Sequence, residues 1–335
     1  MRDTPVIEIY EATKRYTSVM SRPPAVDTVS LDVWKGELLV ILGESGSGKT
    51  TLLKAINRLI PLTSGRIAVE GKDIARGSPV RLRRRIGYAF QGVGLFPHMS
   101  VAANVAITPR LLKWEAIEVT RRVDELLAMV GLPPADFRDR RPTELSGGQR
   151  QRVGVARALS AAPEIVLLDE PFGALDPLTR DELQGEYRAI HDRLGLTTVM
   201  VTHDMNEALL MADRIGVMKD GRLLQLGTPH ELLAEPAGPY VRRLMRKPRE
   251  QADRVEAMLA GEAAAKSAGT GTPPQAGPER SEGPGDASHF KQGAPDLRFA
   301  RDRLRENRER EANAGMDDTL SIEDEPESDT GAPPA

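Results

Sequence analysis

The apolar run Leu38–Leu42 passes directly into Gly43, Glu44, Ser45, Gly46, Ser47, Gly48, Lys49 and Thr50, and an amphipathic segment starting at Thr51 follows at once. Strand, glycine-rich turn ending in Lys-Thr, then helix is the P-loop pattern, and it commits the chain to an α/β architecture built on a buried strand. Glycines at 43, 46 and 48 let the backbone turn tightly. Successive N–H groups then converge at the positive end of the coming helix, where phosphate oxygens are stabilised. Lys49 is suited to neutralise β- and γ-phosphates, and Thr50 offers a hydroxyl to Mg2+. Such a metal also needs a carboxylate at the end of a buried strand. Asp169 meets that need, because it closes Ile165-Val166-Leu167-Leu168, an unbroken apolar run of the kind a strand covered on both faces requires.

A second anion-binding helix start lies at Leu145–Gln149, which reads LSGGQ. Ser146, Gly147 and Gly148 open a predicted helix, QRQRVGVARALS, so their N–H groups and the helix dipole also face an anion. With both motifs present, the chain resembles the ATP-binding cassette (ABC) family over residues 6–245. The resemblance implies a P-loop NTPase with a RecA-like mixed sheet, an N-terminal antiparallel β-subdomain and an inserted helical subdomain over about residues 92–160. It also implies a homodimer of head-to-tail cassettes, with each ATP between the P-loop of one copy and Ser146, Gly147, Gly148 and Gln149 of the other.

Residue by residue, the resemblance assigns Glu170 to polarising the attacking water and His203, in VTHD, to the γ-phosphate. Gln91, after IGYAF, is assigned to Mg2+, to the water and to the link with a membrane partner; Asp176, in GALD, belongs to a loop crossing the dimer interface. Tyr16 is the candidate for stacking on adenine.

With 46 Lys plus Arg against 49 Asp plus Glu, the net charge of −3 argues against nucleic acid as a partner. The absence of cysteine excludes disulfides and thiolate metal sites. The opening MRDTPVIEIYE lacks the apolar core of a signal peptide, and no run approaches the ~18 apolar residues of a membrane span, so transport would depend on separate membrane chains.

Val29, Leu31 and Val33 alternate with Ser30 and Asp32, the pattern of a half-buried antiparallel strand. Val119, Val123, Leu126, Leu127 and Val130 recur at helix spacing until Gly131 and Pro133-Pro134 stop them. IGVMKDGRLLQL reads as a hairpin turning at Asp220-Gly221. Arg81–Arg85 is either a solvated helix face or a contact for anionic lipid. A short helical extension is expected over 246–260, and 261–335 reads as a low-complexity, disordered tail, or as a docking or autoregulatory segment.

Within the family, INRLI, TSGRI, LRRRIGYAFQGVGLFPHMSVAANVA and EPFGALDPLTR are close to the quaternary-amine importers of glycine betaine, choline and related osmoprotectants. The resemblance therefore implies a peripheral ATPase at the cytoplasmic face of the inner membrane, working with permease subunits and, indirectly, a substrate-binding protein. Phe96, Pro97, His98 and Met99 become candidates for contacts with the permease. Where relatives carry paired regulatory modules this chain has the low-complexity tail, so osmotic gating through such modules is not expected. Importers of other small solutes such as amino acids or sulfonates, exporter ATPases and non-transport ABC ATPases remain alternatives.

Overall fold

The computed structural model describes residues 4–16, 23–90, 92, 94–173, 175–246 and 250. All belong to one unit, Met1–Gly293. The second unit, Ala294–Ala335, the tail expected over 261–335 and most of the extension expected over 246–260 lie outside the described residues, as does Gln91.

The chain begins with β1 (Ile7–Lys14), β2 (Val26–Val33) and β3 (Leu38–Leu42), and the P-loop leads into α1 (Lys49–Ile56). Next come β4 (Ser64–Val69), β5 (Lys72–Asp73), α2 (Pro79–Arg85) and β6 (Ile86–Ala89). Four helices follow: α3 (Val101–Leu111), α4 (Ala116–Met129), α5 (Pro134–Phe137) and α6 (Gly147–Leu159). The chain then alternates β7 (Ile165–Asp169), α7 (Pro177–Leu194), β8 (Thr197–Thr202) and α8 (Met205–Met211), and closes with β9 (Arg214–Lys219), β10 (Arg222–Gly227) and α9 (Pro229–Ala234).

Two sheets result. The larger has the order β10-β9-β3-β8-β7-β6, parallel throughout except for the β9–β10 hairpin. The smaller, β2-β1-β4-β5, is antiparallel. Successive side chains of a strand point to opposite faces, so the fully buried β3 feeds two cores. Leu38, Val40 and Leu42 pack with Val105 of α3, Leu126 of α4, Val153 of α6 and Tyr187 of α7. Leu39 and Ile41 pack with Leu52 and Ile56 of α1 and with Ile7, Val29 and Ile67 of the antiparallel sheet. The larger sheet is thus covered on both faces, which is why its strands read as continuous apolar runs. Val29, Leu31 and Val33 are buried while Ser30 and Asp32 are exposed, as the alternation required.

Local signals set the element boundaries. Asp220 and Gly221 both have positive φ, 49° and 80°, the requirement of a type I′ hairpin turn. Ser146 caps α6: its Oγ accepts from Gln149 N at 3.2 Å, and Gln149 Oε1 accepts from Ser146 N at 3.0 Å. Arg81–Arg85 falls in α2, but it is not simply solvated. Arg83 donates to the carbonyl of Asn57 at 3.3 Å and also to that of Arg58, while Arg85 pairs with Glu70. Those two guanidiniums tie α2 to the end of α1 and to the turn after β4.

Candidate nucleotide site

The parallel strands β3, β7 and β8 are neighbours and end on the same edge, so their C-terminal residues meet there although they are far apart in sequence. Open parallel sheets bind ligands at that edge. The P-loop is pinned from several sides: Gly43 N donates to Thr202 O at 3.3 Å, and Gly221 N donates to Ser47 O at 3.1 Å. Gly48 has φ +100°, and a Cβ there would run into the carbonyl oxygen of Ala25. Any other residue at 48 would therefore strain the backbone and displace the strand beside it.

Lys49 is 4% exposed, and its Nζ donates to the carbonyls of Gly43 at 2.7 Å and Glu44 at 2.8 Å. The ammonium therefore sits across the inside of the loop. Burial pulls its pKa down, opposed by the nearby Glu170 and Asp169 charges. Thr50 Oγ1 donates to Asp169 Oδ1 at 2.8 Å. Asp169 is 2% exposed, and burial raises its pKa despite the Thr50 hydrogen bond and the Lys54 charge. A desolvated carboxylate beside a hydroxyl is a hard-oxygen pair of the kind Mg2+ takes from a protein, the rest of its octahedron coming from phosphate and water. Among the described residues no cluster of three or more His, Cys, Asp or Glu forms a metal cage.

Glu170 continues from β7 with φ +48°, a left-handed conformation uncommon for a non-glycine residue. Its N–H is held by Val201 O at 3.0 Å. This turns the side chain out of the strand, and Oε2 lies 3.4 Å from His203 Nδ1. Strain of this kind is retained where the surroundings over-determine it, commonly at functional sites.

Glu44, Ser45 and Gly46 are exposed on the loop, Ser47 is buried and Thr51 is half-buried in α1. Asp176 is the N-cap of α7, accepting from Thr179 N at 3.1 Å, and that hydrogen bond holds its carboxyl below the usual range. Gly147 and Gly148 form the first turn of α6, with the cap bonds directed to Gln149 and Ser146. Tyr16 lies just past β1, 49% exposed, with Lys14 Nζ 5.2 Å from its ring centroid. No hydrogen bond, ion pair or ring contact among the described residues joins it to the P-loop.

Several residues at the site were not singled out by the motifs. Tyr88 of β6 is buried against Asp169, and burial together with that charge pushes its hydroxyl pKa well up. Glu207 of α8 is 4% exposed, and burial pushes its pKa up to about 7. Its sequence signal was present: Glu207, Ala208 and Met211 are the inward positions of α8, and one of three carries a charge. Asn104 of α3, wholly buried, holds the loop before it. It accepts from Phe96 N at 2.8 Å and donates to the carbonyls of Phe96, Met99 and Ser100 at 3.0 to 3.2 Å. Phe96, Pro97 and His98 are thereby presented as an exposed turn.

A buried P-loop lysine, a pair between Thr50 of α1 and Asp169 at the end of β7, and a Glu–His pair just past the ends of β7 and β8 define a P-loop nucleotide-binding protein. The chain belongs to the ABC transporter family of ATP-binding proteins, whose family model matches residues 26–173. It is 49% identical over 240 residues to the glycine betaine/carnitine/choline transport ATP-binding protein OpuCA of Bacillus subtilis, covering 70% of this chain and 63% of that protein. It is 50% identical over 219 residues to the glycine betaine uptake system ATP-binding protein YehX of Escherichia coli, covering 65% and 71% respectively. The chain thus spans less than two thirds of the length of the Bacillus relative. Among solved structures it is similar to a dimeric post-hydrolysis state of the ATP-binding cassette MJ0796 bound to ADP and Pi. That match has 33% identity and a TM-score of 0.61, and covers 67% of this chain and 98% of the other.

Proposed function

We propose that this chain is the ATP-hydrolysing subunit of an importer for glycine betaine, choline or related osmoprotectants, acting over residues 6–245. The observation that carries the ATPase reading is the convergence of Lys49, the Thr50–Asp169 pair and the Glu170–His203 pair on one edge of the parallel sheet. In this reading the P-loop amides of Gly43–Thr51 and Lys49 hold the phosphates, and Thr50 and Asp169 hold Mg2+, which supplies charge neutralisation when bound. Glu170 orients water for attack on the γ-phosphorus, the bond to the ADP oxygen breaks, and His203 supports the charge that develops on the phosphoryl oxygens. Gln91 and Tyr16 enter on their motifs alone, as contacts to the metal and water and to adenine.

Two copies would bind two nucleotides, with Ser146, Gly147, Gly148 and Gln149 of each closing over the partner's ATP and Asp176 at the interface. Dimeric structures of the related cassette MJ0796 support this arrangement. In the same reading separate permease subunits carry the solute, with this chain at their cytoplasmic face and a substrate-binding protein beyond them; no described helix is long and apolar enough to cross a membrane. The groove between the larger sheet and the helical region, lined by Leu59, Arg83, Phe90, Phe96 and Arg157, is a fitting seat for a permease helix. The osmoprotectant assignment rests on the relatives' substrates.

Replacement of Glu170 by Gln should cut turnover at least ~100-fold, a barrier increase near 2.7 kcal/mol, with Mg-ATP binding retained. Lys49→Ala should lose binding itself. In cells without other betaine systems, labelled glycine betaine uptake should be abolished by Glu170→Gln and, in the wild type, blocked by choline. Hydrolysis that survives Glu170→Gln counts against the catalytic assignment; hydrolysis by the wild type that is lost in Glu170→Gln while betaine uptake stays undiminished discards the substrate class alone.

A further inference from the structure

Arg180 lies in the first turn of α7, four residues past Asp176, outside both the P-loop and LSGGQ. Its guanidinium makes two bonds to two different loops. Nη2 donates to the carbonyl of Leu175, the residue before Asp176, at 3.1 Å, and Nη1 donates to Asp204 Oδ2, the residue after His203, at 3.1 Å. The other Asp204 oxygen, Oδ1, accepts from Asn206 N at 2.8 Å and Glu207 N at 3.3 Å, so it caps α8. Asp204 N in turn donates to Thr202 Oγ1 at 3.0 Å at the end of β8. One side chain therefore spans the loop that precedes α7 and the turn that carries His203.

The same cluster reaches the start of α6. A Cβ on Gly148 would stand 2.7 Å from Thr179 Cγ2 and 3.9 Å from Leu175 Cδ2, so α6 begins in close contact with the start of α7. Beneath the bridge, Arg180 Nε and Glu207 Oε1 are both buried without a hydrogen-bond partner. Buried polar atoms of this kind cost free energy, and a purely structural bridge would not need to leave two of them.

We infer that Arg180 is a positioning residue that locks the Asp176 loop to the His203 turn, so that closure on one nucleotide is transmitted to the histidine serving the other. This rests on the dimeric ATPase reading above. Asp176 and the Gly148 helix start face the partner's nucleotide in that reading, whereas His203 faces the chain's own. Both ends of the Arg180 bridge are then needed in register for turnover, but neither contacts substrate through Arg180 itself.

The test is a cycle of Arg180→Ala, His203→Ala and the double variant, with turnover expressed per Mg-ATP-binding site so that any unfolded fraction is excluded. Arg180→Ala should lower kcat at least ~10-fold with KM for ATP changed less than ~2-fold, because the P-loop is untouched. The double variant should be no slower than His203→Ala alone, since Arg180 acts through that histidine. Arg180→Lys keeps the charge but cannot hold both loops, and should recover less than half of the lost rate. Wild-type kcat in Arg180→Ala, or losses that multiply in the double variant, would overturn the inference. A wild-type chain without ATPase activity, or an unimpaired His203→Ala, would instead overturn the reading on which it rests.

Discussion

Glu207 shows how one buried atom sets a pH dependence. It sits among Thr202, Asp204, Arg180 and Glu170, and burial outweighs the help from Thr202 and Arg180 in fixing its pKa at about 7 against an ordinary 4.5. The folded state thus holds this proton more tightly than the unfolded chain does. Stability from Glu207 is fully present below pH 4.5, declines as pH rises toward 7, and is absent above it. At about 1.4 kcal/mol per unit, the difference approaches about 3 kcal/mol. Glu207→Gln imitates the protonated form, so it should match the wild type in urea unfolding near pH 5 and exceed it by roughly 1–3 kcal/mol near pH 8. A variant that is less stable at both pH values would mean that the carboxylate is satisfied when charged.

At the level of elements, one side chain of α3 fastens the turn from Phe96 to Ser100 that precedes the helix. Asn104 uses its oxygen and its amide protons on Phe96, Met99 and Ser100, and no other described side chain bonds the Phe96 backbone. Asn104→Ala removes these bonds from an interior position and should cost about 2–3 kcal/mol, read as a lowered Tm. ATP turnover of the purified subunit should hold at a temperature where the variant is folded, while co-purification with the permease proposed above should fall. Capture undiminished at that temperature would show that the turn's shape does not depend on Asn104. This clamp was not visible in the sequence, where Asn104 is one polar residue in an apolar helix. The P-loop, LSGGQ and the strand ending in Asp169-Glu170 were visible because each is a local device: backbone, dipole and side chain act within a few consecutive residues. Arg180–Asp204, Tyr88 beside Asp169 and the Arg83 and Arg85 contacts depend on which strands and helices become neighbours, and that order is not written locally. Pro109, inside α3, similarly conceals a helix that extends to Leu111, because proline in a helix interior ordinarily signals its end.

For the whole molecule, the arrangement of motifs poses a geometric question that one subunit does not answer. The P-loop stands at the edge of the larger sheet, between its two cores, whereas Ser146 and Gly147 open α6 on an exposed surface. Within one chain, Ser146 Oγ is already used on Gln149 N, and Gly148 is packed against Thr179. In the dimer proposed above, a helix start so exposed, with an anion-binding sequence, would be completed by a second copy presenting its nucleotide. If so, ATP is part of the interface, and a variant that binds but does not cleave it should trap the dimer. Glu170→Gln in Mg-ATP should therefore sediment as a dimer and return to monomer on exchange into ADP. Adding Ser146→Arg should cost only about 1 kcal/mol of helix cap yet place a bulky side chain where the partner's nucleotide approaches. The double variant should still bind ATP through its own P-loop but remain monomeric. Dimerisation that is indifferent to Ser146→Arg would place the interface elsewhere, and a Glu170→Gln chain that stays monomeric in saturating Mg-ATP would remove the nucleotide from the interface altogether.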